Sequence, residues 1–165
     1  MEPKAIVYTS NTGHTAQYAQ LLSKKSGLPC YDLKEAKSRF SKKEPIIFMG
    51  WLIAGFIKDY RRAKKMFDIQ AVCAVGLGNS GAQTESVRKA NKVPAHVKLY
   101  TLQGGIDHDK LTGVYSSMIK TLTKALEMKK DPSDDETAML ALLKKSDNYV
   151  SMDNLVGISQ EFGWN

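Results

Sequence analysis

Five short apolar runs, each followed by a segment of helical or polar character, constrain the fold of this 165-residue chain more than any other feature. The runs cover residues 5–8, 28–33, 45–50, 71–75 and 97–102. Strands that alternate with helices in so short a chain pair in parallel through right-handed crossovers, which places the sheet between two helical layers. The sequence therefore predicts an α/β three-layer sandwich with a five-stranded parallel sheet, formed as one domain over residues 1–165.

The helices between these strands are expected from the spacing of apolar residues. Their predicted ranges are 14–25, 34–41, 56–67 and 82–91. Gly27 follows the first of them and is expected to end it in the left-handed conformation common at helix C-termini.

The last third of the chain departs from this alternation. One long amphipathic helix is predicted over residues 107–130, with Asp107 as its N-cap. A helix with an acidic start follows, and residues 147–149 are expected to form a turn before a closing helix over 152–162. Residues 107–148 are thus predicted to be a helical insertion before the last helix.

Composition is typical of a globular protein, with 42% hydrophobic and 25% charged residues. The two cysteines, Cys30 and Cys73, lie inside apolar runs and are interpreted as buried thiols in a reducing compartment. The first residues lead into a strand without the pattern of a secretory signal. We therefore expect a cytoplasmic location.

A net charge of +7 predicts contact with acidic partners, an anionic membrane surface, acidic substrates or nucleic acid. The basic cluster over residues 58–65 is not part of a known nucleic-acid-reading motif, which disfavours nucleic acid and indicates a solvated helix face. An acidic protein partner and peripheral contact with an anionic membrane remain as expectations.

The turn after the first strand is rich in hydroxyl groups and leads directly into a helix. It contains, in order, Ser10, Asn11, Thr12, Gly13, His14 and Thr15. Hydroxyl donors beside the free N–H groups of a helix N-terminus favour a bound phosphate. The alternative is an ordinary strand-to-helix turn with Ser10 or Thr12 as the N-cap.

Three further loops follow strands whose carboxyl ends meet at the same edge of the predicted sheet, where ligands bind in open α/β folds. The loop after the third run offers Gly50, Trp51 and Leu52. The loop after the fourth run contains Gly76, Leu77, Gly78 and Asn79. The loop after the fifth run covers residues 103–108. Trp51 could stack on a ligand ring or cap the core. The four loops together predict a ligand with a phosphate attached to a flat ring.

Other chemistries fit less well. Gly76, Gly78 and Gly81 match the dinucleotide fingerprint, but they follow the fourth strand, and Asp107 is the first acid after the next strand. The three histidines are too scattered to suggest a metal site, so none is predicted. The chain has no P-loop motif, no CxxC pair and no evident acid–base dyad.

The spacing Ser10-x-Thr12-Gly13-x-Thr15 resembles the phosphate loop of flavodoxins. That resemblance implies strand order 2-1-3-4-5 and non-covalent binding of FMN. It implies that residues 10–15 hold the phosphate, that residues 50–52 flank the isoalloxazine ring and that residues 76–79 contact its edge. The basic net charge differs from the acidic character of flavodoxin electron carriers.

The insertion, with Tyr115, Met118 and Ile119 on its apolar face, loosely resembles the flavodoxin-type protoporphyrinogen oxidases of bacteria. These are FMN proteins that act at the membrane and pass electrons to a quinone. The resemblance implies electron transfer or flavin-dependent oxidoreduction with a redox partner, in an electron carrier or an FMN-dependent oxidoreductase. The alternative is a non-redox interaction module of the same fold that docks acidic partners through its basic surface.

Overall fold

Strands and helices alternate from the N-terminus in the computed structural model, which describes residues 1–164. The first ten elements are β1 Ala5–Thr9, α1 His14–Ser26, β2 Cys30–Asp32, α2 Leu33–Arg39, β3 Pro45–Ile53, β4 Phe56–Ile57, α3 Tyr60–Met66, β5 Asp68–Gly76, α4 Thr84–Asn91 and β6 Lys98–Gln103. The remainder are β7 Gly105–Ile106, α5 Gly113–Glu127, α6 Asp134–Lys144, β8 Asp147–Asn148, a 3-10 helix Met152–Leu155 and α7 Val156–Glu161.

The central sheet has the order β2-β1-β3-β5-β6, and all four of these pairings are parallel. Counting the five parallel strands in chain order gives 2-1-3-4-5. The predicted fold class is therefore confirmed, including the helical insertion before the last helix.

Helices cover the sheet on both faces because alternate strand residues point to opposite sides. On one face Ile6 and Ile47 pack with α1 and the closing helical segment. On the other face Val7 and Phe48 pack with α2, α3 and α4. These strand residues are fully buried, so the sheet forms the centre of the core.

The segment after the third strand differs from the prediction. Residues 51–53 continue β3, and the chain turns back through Ala54 and Gly55 so that β4 pairs antiparallel with the end of β3. Both turn residues have positive φ, 49° and 79°, as a type I′ hairpin turn requires. Helix α3 consequently starts at Tyr60 rather than at residue 56.

The insertion also differs in detail. Asp107 does not begin a helix: its carboxylate accepts a hydrogen bond from Asp109 N–H, and α5 starts only at Gly113. Residues 147–148 form β8, which pairs antiparallel with β7 and closes the base of the insertion. Gly27 ends α1 as predicted, with a φ of 75°.

Helix α6 has a capping box formed by Ser133 and Glu136. The closing segment, predicted as one helix, is a 3-10 helix followed by α7, and Ser151 Oγ accepts from Asp153 N–H at its start. Within residues 1–164 no helix has the length and apolar character needed to cross a bilayer.

A buried amide holds the β3–β4 hairpin against α4. Asn91 Oδ1 accepts from Ile57 N–H at 2.8 Å, and Asn91 Nδ2 donates to Gly55 O at 2.9 Å and to Val87 O at 2.8 Å. Removing such a side chain leaves buried backbone groups unpaired, which costs about 1–3 kcal/mol.

We predict that Asn91→Ala lowers the free energy of unfolding by about 1–3 kcal/mol, measured by urea denaturation. Asn91→Asp should cost at least as much, because a carboxylate cannot donate to the two carbonyls. Lys89→Ala, an exposed change on the same helix, is the matched control. Equal stability of Asn91→Ala and the control would contradict this role.

Candidate functional site

A cavity of about 460 Å³ lies at the carboxyl edge of the parallel sheet. The strands end there at one level, since Thr9 pairs with Gly50, Trp51 with Val75, and Gly76 with Gln103. The loops after β1 and β5 and the β3–β4 hairpin all line the cavity. Its size is within the range of small-molecule sites.

The β1–α1 loop supplies the polar end of the cavity. Ser10, Asn11, Thr12, His14 and Thr15 all line it. Gly13 occupies the N-cap position of α1 with a φ of 103°, a conformation that favours glycine. The first N–H groups of a helix have no partner within it, and the dipole favours negative charge beside them.

One of these helix N–H groups is already paired, because Ser10 Oγ accepts from Ala16 N–H at 3.3 Å. Neither Ser10 nor Thr12 is the N-cap, although Ser10 shares the capping role through this bond. Thr12 Oγ1 lies 3.0 Å from His14 Nδ1. The loop is thus held by its own side chains around the helix N-terminus.

His14 is only 7% exposed although it lines the cavity. Burial lowers the pKa of His14, and Lys110 acts in the same direction. The Asp107 carboxylate and a hydrogen bond to the backbone of Asp147 oppose this effect. Since burial is the largest of these influences, the neutral imidazole is favoured at neutral pH.

The β3–β4 hairpin forms a second wall. Trp51, Leu52 and the turn residues Ala54 and Gly55 line the cavity. The Trp51 ring meets the Tyr115 ring of α5 edge to face, with centroids 4.7 Å apart and planes at 83°. Trp51 therefore contacts the insertion at the cavity wall and does not lie in the buried core.

Hydrogen bonds to residues of β6 hold the loop after β5 in place. Gln103 N–H donates to Ser80 Oγ at 2.9 Å, and Gln103 Nε2 donates to Leu77 O at 3.1 Å. Thr101 Oγ1 donates to Ala82 O at 2.8 Å. These bonds hold a glycine-containing loop at the cavity edge.

The structure brings together eleven of the thirteen residues predicted for the site, and Gly13 and Gly50 are the two that do not line the cavity. Gly13 shapes the loop from the helix cap. Gly50 is buried inside β3, where an added Cβ would lie 2.7 Å from Ile57 Cγ2 and 2.8 Å from Lys58 O. The structure thus gives Gly50 a packing role beneath the hairpin.

The insertion contributes a third, apolar wall that the sequence reasoning did not predict. Its lining residues are Leu111, Tyr115, Met118, Ile119 and Leu122, with Met139 and Leu143 from α6. The apolar spacing of α5 was visible in the sequence, but it could not show which surface this helix would cover.

The cavity wall carries little formal charge. Among the described residues 1–164, its lining includes no Asp, Glu, Lys or Arg. The part of the chain covered by the structure also holds no group of three His, Cys, Asp or Glu residues placed to bind a metal ion. Binding in this cavity would rest on hydroxyls, backbone groups, His14 and apolar contact.

Comparisons with known proteins add little to this geometry. No protein-family model matches the chain, and no curated protein matches it significantly. The chain is similar to a crystal structure of a "putative flavoprotein" from Bacteroides eggerthii, at 16% sequence identity and a TM-score of 0.40. The match covers 76% of this chain and 98% of that one. The fold assignment therefore rests on the strand order.

Substitutions of Gly50, which is packed inside β3, and of Gly78, which lines the cavity, distinguish a packing role from a position at the cavity. We predict that Gly50→Ala lowers the free energy of unfolding by about 1–3 kcal/mol, as overpacking does. An added Cβ at Gly78 meets nothing within 4 Å. Gly78→Ala should therefore change stability by less than about 1 kcal/mol. Thermal and urea unfolding of both variants measure this, and equal losses would contradict the assignment.

Proposed function

We propose that this chain binds FMN at the carboxyl edge of its sheet and takes part in electron transfer or flavin-dependent oxidoreduction. The observation that carries the proposal is one cavity with a hydroxyl-rich helix N-terminus at one end and an uncharged, aromatic and apolar lining elsewhere. A phosphate joined to a flat ring matches both parts.

The β1–α1 loop fits the phosphate. Ser10, Thr12 and Thr15 would donate hydroxyls, and the free N–H groups at the start of α1 would add backbone donors. Hydrogen bonds to a charged group are worth about 1.5–3 kcal/mol each, so several neutral donors can hold a phosphate without a lysine or arginine. Asn11 adds a side-chain amide to the same wall.

The other two walls fit the ring. Trp51 and Leu52 from the hairpin, and Leu77, Gly78 and Asn79 from the β5 loop, would contact it. FMN supplies the redox chemistry when bound, while the protein binds, orients and shields it. The residues of the insertion would exclude water from that chemistry.

The wall formed by α5 and α6 favours an enzyme over a simple electron carrier. It adds apolar side chains to the cavity beyond the three loops of the sheet, as a site for a second molecule beside FMN would need. We therefore propose an FMN-dependent oxidoreductase, with the protoporphyrinogen-oxidase-like or quinone-linked branch as its specific form. A turnover assay with quinones and reduced nicotinamides tests this choice, and no turnover with either would favour the carrier.

A non-redox interaction module is the second candidate, favoured by the exposed basic face of α3. Arg61, Lys64 and Lys65 are exposed there, while Arg62 pairs with Asp59 at 3.2 Å. Such a face suits an acidic protein partner. Flavin binding decides between the candidates, since this module needs none.

Contact with an anionic membrane stays a prediction with one structural basis. Val114, Met118 and Leu122 form an exposed apolar stripe along α5, of which Met118 and Leu122 also border the cavity. Lys120 and Lys124 lie on the same helix. Cosedimentation with anionic vesicles tests it, and equal binding to neutral vesicles would argue against an electrostatic contribution. The cytoplasmic location and the single-domain organisation also stay predictions.

Comparison of FMN with riboflavin, which lacks the phosphate, tests the phosphate loop. We expect Thr12→Val with Thr15→Val to weaken FMN binding by at least tenfold, because two donors to a charged group are lost. Riboflavin binding should change little. Fluorescence titration of each flavin measures both affinities.

Thr137→Val, an exposed change on α6, is the matched control for the same substitution type. Absence of FMN binding by the unmodified protein would overturn the proposed function. FMN binding that the double variant leaves unchanged would instead place the phosphate elsewhere.

Substitution of Trp51 tests the ring end of the cavity. We predict that Trp51→Leu weakens FMN and riboflavin binding by the same factor, roughly 2- to 12-fold, because aromatic contact contributes about 0.5–1.5 kcal/mol beyond burial. Trp164→Leu is the control, since Trp164 stacks on Phe162 and does not line the cavity. Loss of FMN affinity alone would contradict a ring contact.

A further inference from the structure

His14 joins the phosphate loop to the base of the insertion, and its two ring nitrogens face different partners. Nδ1 lies 3.0 Å from Thr12 Oγ1, and Nε2 lies on the side of Gly105 where the carbonyl oxygen of Asp147 on β8 also lies. We infer that His14 is a positioning residue whose protonation releases the Thr12 hydroxyl to an anion and so strengthens the phosphate site. This inference rests on the proposed phosphate loop.

The hydrogen-bond directions follow from the partners. A backbone carbonyl can only accept, so we assign the proton of the neutral ring to the nitrogen that faces Asp147. Because Nδ1 faces Thr12, the nitrogen that faces Asp147 is Nε2. In the neutral ring Nδ1 is then bare and accepts from Thr12 Oγ1–H. The hydroxyl proton of Thr12 is therefore directed at His14 rather than into the cavity.

Protonation of His14 reverses one bond and keeps the other. The imidazolium donates from Nδ1 to Thr12 Oγ1 and still donates from Nε2 to Asp147 O. Thr12 then accepts from His14, and its own proton is free to donate to an anion at the start of α1. The site gains one hydroxyl donor and one nearby positive charge together, without moving the backbone.

Two glycines let the β7–β8 pair approach His14 this closely. An added Cβ on Gly104 would lie 3.2 Å from His14 Cβ and 2.6 Å from Val75 Cγ1. An added Cβ on Gly105 would lie 3.2 Å from His14 Nε2 and would overlap Asp147 O. Gly105 also has a φ of 138°. The ring is therefore fixed between the loop and the base of the insertion.

The charged groups around the ring come from the two ends of the insertion. Asp107 and Lys110 follow β7 and act in opposite directions on the pKa of His14. Lys110 Nζ pairs with the Asp107 carboxylate at 3.3 Å, which weakens the influence of either charge. On β8 the Asp147 carboxylate accepts from Tyr149 OH at 3.0 Å. The positive end of the α1 dipole disfavours the imidazolium until an anion binds there.

The sign of the pH dependence follows from the effect of a bound anion on the pKa of His14. A bound anion favours the imidazolium, so the pKa of His14 is higher in the complex than in the free protein. Affinity for the anion should therefore rise as pH falls through the pKa of the complex. It should level off below the pKa of the free protein. A tenfold rise in affinity corresponds to a difference of about one between the two pKa values.

NMR titration of the His14 imidazole from about pH 5 to about pH 8 tests the inference directly. Inorganic sulfate is the first probe, because it stays fully ionised over this range. We expect sulfate and FMN to raise the pKa of His14, and riboflavin to leave it unchanged. A pKa that does not change with sulfate or with bound FMN would overturn the inference.

The pH profile of FMN affinity in His14→Gln provides the second measurement. Because the phosphate of FMN titrates in the same range, only the difference between the unmodified protein and the variant reports on His14. As pH falls, we expect the rise in FMN affinity of the variant to be about tenfold smaller than that of the unmodified protein. His108→Gln, a change at an exposed histidine, should keep the full profile.

The outcomes separate this inference from the proposed function. Identical pH profiles in the unmodified protein and His14→Gln would overturn the role of His14 while leaving FMN binding intact. Failure to bind either flavin, with a sulfate-induced rise in the pKa of His14, would overturn the FMN proposal and support the anion switch. No flavin binding and no response to sulfate would overturn both.

Discussion

Parallel pairing of β1 between β2 and β3 is the constraint on which the site depends. The chain runs from β1 to β2 on one side, and a later crossover brings it to β3 on the other side of β1. The two connections therefore diverge at the carboxyl end of β1. The register holds Thr9 beside Gly50 and thereby places the hydroxyl-rich loop next to Trp51. Polar and aromatic residues some 40 positions apart in sequence become two walls of one cavity. The strand pairing that forms the core of the sheet therefore also positions the walls of the site.

Much of this arrangement could be predicted because it follows from periodic local patterns. The five apolar runs predict the strands, and the parallel sheet then orders their carboxyl ends, so eleven of thirteen proposed site residues line one cavity. The β3–β4 hairpin was missed because its turn begins at Ala54, whose positive φ is not a usual alanine conformation. The short β7–β8 pair was missed because two-residue strands leave no period to detect. Both misses depend on tertiary contacts: Asn91 holds the hairpin, and the glycines at 104 and 105 admit the strand pair.

The placement of the insertion was beyond sequence reasoning for a different reason. An amphipathic stripe shows that a helix has an apolar face, but it does not show what that face covers. In the structure Tyr115 meets Trp51, while Val114 on the same helix is 72% exposed. The apolar face of α5 is therefore divided between the cavity and solvent. This division makes the insertion part of the candidate site rather than a separate packing layer.

The basic charge of the chain and the uncharged wall of the cavity concern different steps of function. Charges on exposed lysines and arginines are screened over about 8 Å at physiological ionic strength. They consequently act mainly on encounters at the surface, such as that of an acidic partner with α3. Among the residues of the polar wall of the cavity, His14 is the titratable one, and its burial favours the neutral ring. Chemistry at a bound ring would be governed by these local groups, so the net charge of +7 is a guide to the partner and not to the reaction.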